Sequence, residues 1–233
     1  MAFTDRHGGV SAAPFSSLNL GSAAGDAEHD VERNFTLVAE AFGVGVDQVA
    51  RMNQVHGAEV ALVREVAPPG QRPHADAMVT DVPGVALAVR VADCVPVLLG
   101  DSVAGVVGCV HAGRAGLFAG VVPAAVAAMR GLGAQQLTAW VGPHVCGRCY
   151  EVPAQLQHDV VTVVPEAEST TSWGTPALDI GAGVRAQLAA AGCELVDAAR
   201  CTRESAELFS YRRDGKKSGR LAGLVRLLPE PAR

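Results

Sequence analysis

A mixed α/β fold is what this sequence predicts, on three observations. Short β-branched apolar runs such as "VPVLL" and "GVVGCVH" have the length of strands covered on both faces. Longer segments with apolar residues every three or four positions alternate with them along the chain. No repeat, low-complexity tract or linker breaks the 233 residues, so one domain over 1–233 is expected, with helices packed on a mixed β-sheet.

The elements follow in order. Val31, Phe35, Val38, Ala39 and Phe42 in "HDVERNFTLVAEAFG" have helical spacing, and Gly43 is a stop signal, which predicts a helix over 29–43. "AEVALV" (58–63) and "GVALAVRV" (84–91) read as strands, with the Pro-rich "APPGQRPH" as a loop between them. "VPVLL" and "GVVGCVH" read as a central hairpin or neighbouring strands. "GLFAGVVPAAVAAMRGLG" (116–133) puts Leu117, Val121, Ala125, Ala128 and Leu132 on one face of a helix, bent or weakened at Pro123. "LTAWVG" (137–142) is a strand, "PAQLQHDVVTVV" a helix, "DIGAGVRAQLAAAG" (179–192) a helix ending in glycine, and "GRLAGLVRLL" (219–228) a strand.

Composition narrows the function. A hydrophobic content of 49% supports a sizeable core, as in an enzyme-sized globular protein. The net charge of −5, with basic residues scattered apart from "RRDGKK" (212–217), excludes a nucleic-acid or anionic-membrane footprint and points to a small-molecule partner. The first residues lack the pattern of a secretory leader, and the longest apolar stretch, "LFAGVVPAAVAAM", contains a proline and is too short to span a bilayer. Six dispersed cysteines resemble the thiols of a reduced compartment, so a cytoplasmic location is expected.

Three donor residues sit at ends of predicted strands: His56 in "NQVHGAEV", Cys94 in "ADCVPVLL" and His111 in "CVHAGRAG". One thiolate and two imidazoles make a tetrahedral zinc set with a fourth position open for water or substrate. The separations of 38 and 17 residues match no short-spaced finger, so residue types alone leave other readings open. Cys94 also suits a nucleophile activated by His111, and all three also suit ordinary buried residues. Asp93, a charge among valines, needs a partner: it caps a turn, orients a ligand histidine or acts as a base. In an extended strand it points away from Cys94, which favours the structural role. "CGRC" (146–149), with "HGAE" (56–59) and Pro143, loosely resembles the zinc-deaminase signature H-x-E followed by P-C-x-x-C, but the His and Glu are separated by two residues instead of one, Pro143 does not directly precede Cys146, and no second C-x-x-C is present. A structural thiol pair or a redox motif is the alternative for Cys146 and Cys149.

Six blocks in order carry a family resemblance: "FTDRHGGVSAAPFSSLNLG" (3–21), "NQVHGAEV" (53–60), "ADAMVTDVPGVALAVRVADCVPVLL" (75–99), "VVGCVHAGRAG" (106–116), "VGPHVCGRCYEV" (141–152) and "CTRESAELFSYRRDGKKSGRLAGLV" (201–225). Together they resemble the bacterial laccase-domain family, polyphenol oxidase-like and YfiH-like, whose members are also called purine nucleoside phosphorylases or peptidoglycan editing factors. The resemblance implies a mixed α/β domain and a pocket metal, usually zinc with copper as the alternative, on His56, Cys94 and His111. It implies phosphorolysis of adenosine, inosine and methylthioadenosine, and adenosine deamination. Its alternatives are a cysteine- or zinc-dependent amidase editing peptidoglycan precursors, a copper-dependent polyphenol oxidase, and a non-enzymatic partner protein with a disabled pocket.

Zinc-bound hydroxide suits deamination and amide cleavage, whereas phosphorolysis also needs an anion site, for which Arg6, Arg212 and Arg220 are candidates. A single donor trio does not supply the linked copper centres of four-electron oxygen reduction. The expected partners are a purine nucleoside and phosphate, with a monomer or small homo-oligomer as the assembly. One departure stands out: where the family reads H-A-G-W-R-G, this chain has "HAGRAG", with Arg114 and Ala115 replacing Trp and Arg.

Overall fold

The computed structural model describes residues 1–22 and 24–228. In chain order the elements are β1 (Ala2–Phe3), α1 (Glu28–Phe42), β2 (Val49–Ala50), β3 (Val60–Leu62), β4 (Ala77–Thr80), β5 (Ala86–Val91), β6 (Val95–Asp101) and β7 (Val106–Ala112). There follow α2 (Arg114–Ala119), α3 (Val121–Gly131), β8 (Thr138–Val141), α4 (Ala154–Val163), β9 (Glu168–Thr170), β10 (Pro176–Leu178), α5 (Ile180–Ala190), β11 (Glu194–Asp197), α6 (Tyr211–Asp214) and β12 (Leu221–Arg226).

The strands form a six-stranded mixed sheet in the order β11-β8-β6-β7-β4-β3, a four-stranded sheet β1-β12-β5-β2, and a small β9–β10 pair. The expected hairpin is the centre of the larger sheet, β6 running antiparallel to β7 from Val95↔Ala112 to Asp101↔Val106. Where one sheet is expected, two pack face to face. Val97 and Leu99 of β6 join the core under α2, α3 and α5, while Leu98 between them joins Leu87 and Val89 of β5 in a core between the sheets. Ala86 and Ala88 turn the other way, onto Phe35 and Val38 of α1. Period-two side-chain alternation thus builds helix, sheet, sheet and helix layers, and explains why both faces of β6 are apolar.

The predicted helices form, with one corrected break. Residues 114–131 make two helices, α2 and α3, divided at Gly120, whose φ of 81° is left-handed. Pro123 is not the break: it lies in the first turn of α3, where no backbone N–H needs an intrahelical acceptor. Gly43 closes α1 in the same left-handed conformation, as expected. The β4 strand, absent from the expectation, lies between β3 and β7 and sets a register that matters for the site. Among the described residues, no helix is long and apolar enough to cross a membrane.

Asp101 ties the far end of the hairpin together. Its carboxylate accepts from the N–H groups of Val103 and Ala104 on one oxygen and of Gln135 and Gln136 on the other, at 2.7–3.0 Å. These donors hold its pKa down to about 2, from an ordinary value of 3.8. The folded pKa being the lower, this stabilisation is complete above pH 3.8 and is lost as pH falls through about 2. Asp101→Asn turns an amide NH₂ against one pair of donors. It should cost about 2 kcal/mol at neutral pH and flatten the stability curve in that acid window, read by denaturant unfolding at stepped pH.

Candidate metal centre and adjoining pocket

The two sheets meet at a turn that carries the site. Chain passes from β5 in the smaller sheet to β6 in the larger through Ala92-Asp93-Cys94, with Asp93 at φ 87°. The carboxylate of Asp93 is the partner that this left-handed turn requires. It accepts from the Thr202 hydroxyl and the Arg212 N–H, each at 2.6 Å, while its carbonyl accepts from Val145 N–H at 3.0 Å. Asp93 therefore fixes the turn to two distant loops and leaves the adjacent Cys94 facing the cavity.

His56, Cys94 and His111 come together there, with one ligand atom from each lying within 4.8 Å of the others. Their rings and thiol arrive from three elements: the loop before β3, the start of β6 and the end of β7. The imidazoles of His56 and His111 meet edge to face, 4.7 Å between centroids.

The carboxylate serving the histidines is Asp76, which sequence reading did not single out. Antiparallel register pairs Ala77 of β4 with Val110 of β7, which sets Asp76 opposite His111. His111 donates Nδ1–H to Asp76 at 2.7 Å, leaving Nε2 as the free donor atom. Asp76 also accepts the N–H groups of Val55, His56 and Gly57 at 2.7–3.1 Å, holding His56 at a left-handed φ of 61°. Burial alone would raise the pKa of Asp76, but the His111 and backbone hydrogen bonds bring it below its ordinary value. Burial lowers His111, with the Asp76 hydrogen bond opposing, so the imidazole is neutral and able to ligate. Burial, followed by the charge of Asp93, pushes the Cys94 thiol up to about 12. The charge of Arg220 opposes this only in part, so Cys94 is a poor nucleophile unaided, and a metal cation would supply the rest of the counter-charge its thiolate needs.

The residues fit a metal by two further measures. One thiolate and two imidazoles suit a soft or borderline cation. Gly113, at the N-terminus of α2, leaves the space: a Cβ there would stand 2.9 Å from His56 Cδ2 and 3.2 Å from Cys94 Sγ. The backbone of Gly113 is extended, at φ −79° and ψ 172°, so alanine fits the chain but not the trio. Gly113→Ala should keep its circular dichroism spectrum and lose metal affinity by roughly 10-fold or more, read by competition with a chromogenic chelator.

The trio opens into a pocket of about 410 Å³ lined also by Gln54, Arg90, Val91, Tyr211 and Arg220. Of the three arginines expected to bind an anion, Arg220 lines it. Gly21 makes room for it, since a Cβ at Gly21 would fall 2.4 Å from Arg220 Cγ. Arg6 is placed elsewhere, on the Ser16 and Ala206 carbonyls and over the Phe209 ring. Arg212 lies with its guanidinium 4.4 Å from the Tyr150 ring centroid. Arg90, at the end of β5, is the second pocket cation and was missed. Burial, then the charges of Arg72, Arg51 and Arg220, lowers it to about 10, still cationic at neutral pH. Among the described residues neither Arg90 nor Arg220 pairs with a carboxylate; Glu32 is taken by Arg51 and Arg72. Arg114 and Ala115 open α2 and do not line the pocket.

Comparison with known proteins agrees with this architecture. Residues 1–228 match the family described as multi-copper polyphenol oxidoreductase laccase. A purine nucleoside phosphorylase of Streptomyces coelicolor is 56% identical over 228 residues, covering 96% of this chain and 93% of that protein. One from Corynebacterium glutamicum is 44% identical over 232 residues, covering 98% and 94%. Among solved structures, protein NMB0706 of Neisseria meningitidis superposes with a TM-score of 0.86 at 35% identity, covering 97% of this chain and 93% of that one. YlmD from Geobacillus stearothermophilus gives 0.87 at 31% identity, covering 97% and 91%.

Proposed function

Because the chain belongs to the multi-copper polyphenol oxidoreductase laccase family, which implies a metal, we propose that it is a zinc-dependent purine nucleoside phosphorylase that also deaminates adenosine. The names of its relatives support a purine nucleoside enzyme. The observation carrying the phosphorolytic reading is the pair Arg90 and Arg220, two half-buried guanidiniums in the same cavity as the trio that have no carboxylate partner among the described residues.

His56, Cys94 and His111 would hold the zinc. When bound there, it supplies Lewis acidity toward the base and lowers the pKa of a bound water to about 7. Arg90 and Arg220 bind inorganic phosphate, whose charge compensates the burial of both cations. Arg90 is held for this: its backbone exchanges two hydrogen bonds with the Gln54 carboxamide, at 2.8 and 2.9 Å, and its guanidinium donates to the Met52 carbonyl at 3.1 Å. Val91 and Ala92 give the pocket an apolar wall for the sugar, and the half-exposed Tyr211 offers the base an aromatic face at the mouth. Phosphate beside the sugar displaces the base at the anomeric carbon, and Asp76 keeps His111 in one tautomer throughout. The phenol-oxidase reading requires the trio but gives no role to two arginines without carboxylate partners.

The test is chromatography of adenosine incubated with purified protein, with and without phosphate and with a zinc chelator. Phosphate-dependent adenine, with inosine formed in either case and both abolished by chelation, supports the reading. A protein that releases neither product overturns the reading. Chelator-resistant turnover that a thiol alkylator stops is a cysteine hydrolase.

A further inference from the structure

The second cysteine group of the chain lies outside the pocket and has no part in the chemistry above. Cys146 and Cys149 of "CGRC" are joined in space by Cys201 and Glu204 of "CTRE", and one ligand atom from each of the four lies within 4.8 Å of the others. The sequence shows only one C-x-x-C, but "CTRE" repeats its spacing with a carboxylate in the last place. Two turns with two intervening residues, facing each other, are the arrangement by which small zinc sites are assembled.

The backbone is already set for such a site. An isolated bridge joins His144 to Cys201, and Thr202 N–H donates to the His144 carbonyl at 3.0 Å. Cys146 N–H donates to Cys201 Sγ at 3.5 Å, a bond that stabilises a thiolate over a thiol. Cys149 Sγ donates to Glu204 Oε1 at 3.3 Å, so the one proton between them is the one a cation would displace. All six cysteines are free, so no disulfide competes for these sulfurs. A tetrahedral zinc with bonds of about 2.3 Å sets its sulfurs about 3.8 Å apart, inside the 4.8 Å within which the four ligand atoms lie.

We propose that Cys146, Cys149, Cys201 and Glu204 bind a second, structural zinc ion that staples the 201–213 loop to the 146–149 turn. Three thiolates and a carboxylate fill four positions, so the site is closed, unlike the three-ligand trio. Its place explains what it would hold. Thr202, the residue after Cys201, donates to Asp93, and Arg212 at the far end of the loop donates to the same carboxylate. Arg213 folds the loop between them, donating to the carbonyls of Thr202, Ser205 and Leu208. Most of Arg203–Glu207 is exposed, so apolar burial does little to order it. A clip between residues 55 apart removes much of the closure entropy of the intervening chain. The zinc thereby braces the turn that presents Cys94, without touching substrate.

The test is elemental analysis of wild type and three variants purified without chelator after growth in zinc-supplemented medium. The Cys94→Ala protein, whose change lies outside the cluster, should retain one equivalent of zinc. Its cobalt-substituted form should show thiolate-to-metal charge transfer at about three times the intensity of one thiolate. Cys201→Ser should lose one equivalent relative to wild type, and the double variant should hold none. A Cys94→Ala protein without tightly bound zinc overturns the proposal. So does a disulfide among Cys146, Cys149 and Cys201 found by mass spectrometry of the alkylated wild type. Neither readout uses activity, so the result stands apart from the phosphorolysis assay.

Discussion

Asp76→Asn should strip the metal from the trio and destabilise the fold in a single substitution. The side chain is fully buried and all four of its acceptor positions are used, by His111 Nδ1–H and by the N–H groups of Val55, His56 and Gly57. An amide in its place can keep one oxygen. Its NH₂ then faces donors, either the pair Val55 and Gly57 or the pair His56 and His111. Breaking a buried charged network of this kind costs about 3–5 kcal/mol. His56 loses the bonds that hold it at positive φ, and His111 loses the partner that selects its tautomer, so metal affinity should fall roughly 10- to 100-fold beyond the loss of stability. Zinc titration at a temperature well below the lowered Tm separates the two effects. Unchanged affinity in a folded Asp76→Asn protein would mean that Asp76 has only a structural role.

Arg90→Met should do the reverse, sparing stability while weakening phosphate. Methionine keeps the apolar stem and removes a half-buried cation whose neighbours Arg51, Arg72 and Arg220 repel it, at the cost of one hydrogen bond to the Met52 carbonyl. Replacing such a charge with an apolar side chain is often neutral or stabilising. The hydrogen bonds of a guanidinium to a charged oxygen contribute about 1.5–3 kcal/mol, so the KM for phosphate should rise roughly 10- to 150-fold. The KM for nucleoside and the deamination of adenosine should change far less, because neither needs the anion. Equal losses in both reactions would instead make Arg90 a scaffold for the pocket as a whole.

Much of the architecture was legible because its signals are local. The periodicity of 29–43 with Gly43, and the apolar runs of β5, β6 and β7, each state their own structure. What escaped depends on partners distant in sequence. β6 is apolar at Val97, Leu98 and Leu99 alike, so the alternation that assigns Leu98 to a second sheet is invisible until that sheet is present. β4 is four residues long and β11 is exposed along its length, so neither carries a run from which a strand is read. Pro123 and Gly120 both interrupt a helical pattern; only the left-handed φ of Gly120 shows which one divides it.

The site divides in the same way. Residue types placed the trio at strand ends, and the six-block resemblance selected it. The surrounding charges were harder. Asp76 in "HADAMVT" and Arg90 in "VALAVRV" show the same sign as Asp93, one charge in an apolar run, and a search for such lone charges would have found both. Arg6 and Arg212 show the limit of residue type: each is an arginine in a matching block, but each spends its guanidinium against an aromatic ring. Glu204 had no signal of its own, since its relation to Cys149 exists only after 55 residues have folded between them.

The central claim is that one pocket joins a metal trio to a phosphate site and uses both to split a nucleoside. Phosphorus NMR of adenosine and inorganic phosphate incubated with the protein tests it most directly. The expected spectrum shows inorganic phosphate converted to a ribose 1-phosphate ester in step with adenine release, and no conversion with Cys94→Ala. Adenine released while the inorganic phosphate signal stays constant, or ester formed equally by Cys94→Ala, would contradict it.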